Sequence, residues 1–143
     1  MAAQFDHEKL DVYQLTLQFV AWSSVLLDSI KKSGAERTAE VRDQLDRSSL
    51  SILLNLAEGN AKRHLRVRAK FFDDARGSAT ECAACLDAAV AKRACGPEEI
   101  VSGKEMLLRI VAMLTRLVEV NSGGDRVREE AEPYGDETSE EGG

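Results

Sequence analysis

"RSSLSILLNLAEGN", residues 47–60, is the stretch on which the fold turns. Leu50, Ile52, Leu53, Leu54 and Leu56 crowd into it, yet Ser48, Ser51, Asn55 and Glu58 recur at steps of three and four. That spacing is helical rather than the strict alternation of a half-buried strand. At about 100° per residue, Leu45, Ser49, Ile52, Leu56 and Gly59 share one narrow stripe suited to a core. Leu50, Leu53, Leu54 and Ala57 extend the apolar surface around about half the circumference, where a peripheral bundle helix needs an arc of only about 100° or somewhat more. One apolar stripe is therefore expected inside the monomer, and Leu50, Leu53, Leu54 and Ala57 are expected to dock against a second copy. Ser48, Ser51, Asn55 and Glu58 form the remaining polar stripe. Its expected role is structural, with Ser and Asn bonding to backbone carbonyls or to one another.

Working outward, the periodicity predicts four helices. The first spans about residues 9–32, where Val12, Leu15, Phe19, Trp22 and Leu26 recur on one face. The second spans 35–57, with a stop expected at Gly59 and Asn60, both tolerant of left-handed backbone. The third spans 66–93, and its seam of Phe72, Ala75, Ala79, Cys82, Leu86 and Ala89 is made of unusually small residues. Small seam residues let helices approach closely. Gly96 and Pro97 then punctuate the chain, Pro97 suiting the first turn of a fourth helix over 97–120. Ile100, Gly103, Leu107, Ile110, Leu114 and Leu117 repeat the heptad seam there. The expected fold is all-α, an antiparallel up-down-up-down four-helix bundle over 1–121 that docks with further copies. Residues 122–143, polar and aperiodic, are expected to be a disordered acidic tail.

Composition agrees. Only Pro97 and Pro133 interrupt a chain rich in good helix formers, and its 143 residues suit one domain. The net charge of −6 resides wholly in residues 122–143, where Arg126 and Arg128 face eight acids; residues 1–121 are neutral. No apolar run reaches the roughly 20 residues of a membrane span, and "MAAQFDHEKL" lacks a secretory pattern, so a cytoplasmic location is expected. Three cysteines, an odd number, fit a reducing compartment.

"KRHLRVRAK", residues 62–70, is the one strongly basic run. Lys62, Arg63, Arg66, Arg68 and Lys70 are the candidate nucleic-acid contacts, since phosphate backbones reward such clusters through counterion release. No aromatic lies between them, so base stacking is not indicated. "CAAC" has CxxC spacing but lies mid-helix without a second ligand pair, so Cys82 is expected to be a small core residue and no metal is expected. A di-iron bundle needs Glu-x-x-His on two helices, which neither histidine supplies. No nucleophile elbow or phosphate loop occurs. Neither catalytic residues nor a cofactor is expected.

"FDHEKLDVYQLTLQF", "QLDRSSLSILLNLAEGNAKR" and "KFFDDARGSATECAACLDAA" together resemble the four-helix bundle proteins of the 23S rRNA intervening-sequence group. The accessory variability determinant proteins of diversity-generating retroelements are similar to that group. The resemblance spans about residues 5–120 and is most specific from Gln44 to Arg63, with Gly77, Ser78, Ala79 and Glu81 as a second block. It implies antiparallel helices in a homopentameric ring. The retroelement relatives bind a reverse transcriptase and nucleic acid through a strongly basic surface, whereas the folded part of this chain is neutral. The resulting expectation is a non-enzymatic oligomer that binds RNA or a ribonucleoprotein. The alternative is a protein-interaction scaffold whose ring and acidic tail engage another protein.

Overall fold

The computed structural model describes residues 4–131. Four helices dominate: α1 (Asp11–Ser33), α2 (Ala39–Ala61), α3 (Leu65–Ala91) and α4 (Val101–Ala131). Short 3-10 turns, Asp6–Lys9 and Pro97–Ile100, lead into α1 and α4. There is no strand among the described residues.

The helix ends follow from local chemistry. Gly34 leaves α1 in a left-handed conformation at φ 71°, and the Ser33 hydroxyl donates to the Ile30 carbonyl at 2.6 Å. Lys31 and Lys32 place positive charge on that end of the helix dipole. Here the second helix departs from expectation: residues 35–38 are a turn, with Arg37 at φ 58°, and α2 begins only at Ala39. The Thr38 hydroxyl bonds back to the Ala35 carbonyl at 2.9 Å and is consumed by that turn. Arg93, at φ 63°, closes α3, with Ala94 N–H donating to Ala89 O and Arg93 N–H to Val90 O, a Schellman pattern.

Two expected stops are absent. α2 runs through Gly59 to Ala61, four residues beyond the expected end at Ala57. Gly59 is buried, and a Cβ there would stand 2.8 Å from Phe71 Cβ and 3.1 Å from the Phe72 ring. It is a glycine because α3 crosses too closely for any side chain. α4 likewise continues past Val120 to Ala131. Asn121 is buried inside the helix, its amide donating to Leu117 O at 2.7 Å, and the Ser122 hydroxyl donates to Val118 O. The division expected at 121/122 therefore falls within a helix. The remainder of the expected tail, 132–143, lies outside the described residues.

The core is centred on α3. Phe72, Ala75, Ala79, Cys82, Leu86 and Ala89 are all fully buried, as the small-residue seam predicts. α3 packs most extensively on α2 and on α4, while α1 closes the bundle against α2 and α4. Polar pairs fix the register: Gln44 with Glu81 and Ser51 with Ser78 across α2–α3, Lys104 with Asp87 and Arg76 with Thr115 across α3–α4. In both sets, residue numbers rise along one helix as they fall along the other. Trp22 of α1 stacks on Phe19, ring centroids 5.7 Å apart, and lies over Gly103 of α4, where its indole leaves no space for a Cβ.

Candidate nucleic-acid interface

The basic run covers the turn between α2 and α3, residues 62–64, and the first turns of α3, which carry Arg66, Arg68 and Lys70. Lys62 and His64 adopt extended backbone at the two helix ends, so the linker between them is short and taut. Short linkers leave the last carbonyls of the preceding helix without partners of their own. Arg68 supplies them. Its Nη1 donates to Asn60 O at 2.7 Å and Lys62 O at 3.1 Å, and its Nε donates to Asn121 Oδ1 at 2.9 Å. The guanidinium also lies 5.5 Å from the centre of the Phe72 ring. Arg68 thus joins α2, α3 and α4, its Nη1 and Nε donors taken up by the protein.

The other cations face outward. Lys62 is half-buried, 3.7 Å from Glu58 and 5.4 Å from the centre of the Phe71 ring. Lys70 pairs with Asp74 at 3.4 Å, while Arg63 and Arg66 are exposed. Exposed one-turn pairs of this kind are worth at most about 1 kcal/mol, so a polyanion can displace the carboxylates.

The sequence does not announce what stands beside this linker. Asn60 Nδ2 donates to Asp6 Oδ2 at 3.0 Å, bringing the N-terminal turn onto the end of α2. Phe5 there is 73% exposed and stacks on His7 at 5.6 Å, and His7 meets Tyr13 at 4.7 Å. The rings precede the basic run by more than a third of the chain, so no local motif could have joined them.

The polar stripe of α2 faces α3. Ser51 and Ser78 share a hydrogen bond of 2.9 Å, and Asn55 Nδ2 donates to both the backbone and the hydroxyl oxygen of Ser51. Gln44 donates to Glu81 at 2.6 Å and accepts from Arg47 at 2.8 Å; Ser48 is buried at the edge of the core. Glu58 sits at the stripe's end, paired with Lys62. The opposite arc is open: Leu50 and Leu54 are 48% and 56% exposed, and Leu53 and Ala57 are half-buried.

Cys82 and Cys85 both lie buried on α3 as free thiols. Burial, reinforced by Cys85 and Glu81, pushes the Cys82 thiol up to about 12; burial and Glu81 raise Cys85 as well. In both cases burial favours the neutral thiol over the thiolate. Among the described residues no three His, Cys, Asp or Glu side chains converge on a metal-sized site, and no helix is long and apolar enough to cross a membrane.

The profile of the 23S rRNA-intervening sequence proteins matches residues 8–116, from the N-terminal turn deep into α4. The chain belongs to that family. No curated protein matches it significantly. For this intervening-sequence protein the matched span takes in the polar stripe, the exposed leucines and the whole basic linker. Phe5, Asp6 and His7 precede it, and Asn121, the partner of Arg68, follows it.

Proposed function

We propose that this intervening-sequence protein is a non-enzymatic, RNA-binding oligomer of the cytoplasm, with structured RNA or a ribonucleoprotein as its partner. Its bundle runs up-down-up-down, and copies dock through Leu50, Leu53, Leu54 and Ala57 into a ring, a homopentamer by resemblance. The exposure of Leu50 and Leu54 supports the docking face. Around such a ring the α2–α3 linker repeats once per copy, and repetition turns a weak contact into a usable one. The observation that carries the RNA assignment is the linker itself, where cations project from a taut turn held open by Arg68.

Binding to a structured RNA across a salt series tests it. Affinity falls log-linearly with salt, each phosphate contact adding about 0.7–0.9 to the slope. Replacing Lys62 and Arg63 by Glu abolishes binding while leaving the helical content unchanged. A flat salt response, or unaltered binding by that variant, overturns the assignment. The concentration of acidic residues in 122–143 favours a second reading, a protein-interaction scaffold. A nuclease-resistant complex that is lost on deleting 122–143 would select it instead.

A further inference from the structure

Phe5 is 73% exposed, and its ring is held in a defined position rather than left to swing freely. The N-terminal turn holds Phe5 outward by three anchors. The Glu8 carboxylate accepts the Phe5 N–H at 3.1 Å, Asp6 accepts from Asn60 at 3.0 Å, and Gln14 donates to the Glu8 carbonyl at 3.0 Å. Two acids of the turn are thereby directed at the protein. The Phe5 ring lies within 15° of parallel to His7, which is backed in turn by Tyr13. The anchor residue Asn60 lies in the last turn of α2, two residues before Lys62. A supported aromatic face beside basic residues is the arrangement that receives an unpaired base, with its phosphate on the neighbouring cation.

We propose that Phe5, stacked on His7, is a base-stacking platform for an unpaired nucleotide of RNA whose backbone lies on Lys62 and Arg63. The proposal rests on the RNA assignment above and adds a ligand class to it: looped or single-stranded RNA rather than continuous duplex. Sequence order alone denied this, because no aromatic interrupts the basic run. The fold supplies one from the N-terminal turn.

The test compares two hairpin RNAs with one stem, one closed by an unpaired loop carrying 2-aminopurine and the other extended as continuous duplex. The full-length protein is expected to bind the looped RNA more tightly and to change the 2-aminopurine fluorescence. Phe5→Ala, which removes a ring outside the core, lowers affinity for the looped RNA about tenfold or more and leaves duplex binding unchanged, while Phe5→Trp restores it. Equal binding of the looped RNA by Phe5→Ala and the parent overturns the platform; if Lys62→Glu and Arg63→Glu still weaken both RNAs, the RNA assignment survives without it. A lower solution mass for Phe5→Ala with unchanged RNA affinity makes Phe5 a contact between copies and also overturns it. Absence of binding to either RNA at low salt defeats the RNA assignment itself, and the platform with it.

Discussion

The two sides of α2 invert the usual rule of burial. Toward α3 it presents Ser48, Ser51, Asn55 and Gly59, all buried or half-buried, each matched by a specific partner or close approach. Away from α3 it presents Leu50 and Leu54, about half exposed to solvent. Polar residues are inside because they find hydrogen bonds there; leucines are outside because one bundle has no further face to give them. Burial in this helix follows partnership rather than hydropathy.

The contrast can be broken or sharpened by experiment. The largest expected effect is chemical and concerns the inward side of α3. With its thiol raised to about 12, Cys82 holds at pH 8 a thiolate fraction on the order of one in ten thousand. Iodoacetamide should label half-buried Cys95 first and Cys82 only on unfolding, as read by peptide mass. Because the folded value lies above the ordinary 9.0, this group leaves stability unchanged below pH 9 and withdraws it as pH rises toward 12. Urea titrations at pH 7 and pH 10 check the sign.

Next comes packing. Phe72→Ala empties the fully buried ring on which Gly59 and Arg68 both rest, and should cost about 3–5 kcal/mol in urea unfolding. Gly59→Ala should cost about 1–3 kcal/mol by forcing α2 and α3 apart. Gly77→Ala should do the reverse and stabilise by about 0.5–1 kcal/mol, since a Cβ there meets nothing within 4 Å and helix propensity alone decides. Equal signs for the two glycines would refute the close approach. Ser51→Ala strands Ser78 and should cost about 1 kcal/mol, whereas removing both hydroxyls recovers part of the loss.

The smallest effect on a single copy is expected on the outer arc. Leu50→Ser with Leu54→Ser should change the stability of a dilute monomer by about 0.5 kcal/mol or less. The same pair should reduce the solution mass to 15.7 kDa, the mass of one chain, in light scattering. An unchanged mass would place the contact between copies elsewhere.

Much of this was legible beforehand. Heptad spacing located the α3 seam residue by residue, because each step of three or four returns a side chain to the same face. The serine and asparagine stripe declared itself by the same arithmetic. Helix ends were read less well, and for one reason. Gly59 and Asn121 are residues that commonly stop helices, and their reasons for staying inside one, a crossing phenylalanine and an arginine from α3, are distant in sequence. The bracing role of Arg68 was hidden likewise, since its charge is local but its acceptors belong to Asn60, Lys62 and Asn121.

By itself the sequence determined that the chain folds as four amphipathic helices, which faces turn inward, and that α2 carries more apolar surface than a bundle can bury. Tertiary structure alone decided which neighbour each face meets: that Gly59 is a crossing point, that Arg68 is a clamp, and that the N-terminal turn carrying Phe5 is tied to Asn60 at the end of α2. Periodicity is a property of one helix and records direction. Contact is a property of two, and its distances exist only once the chain has closed on itself.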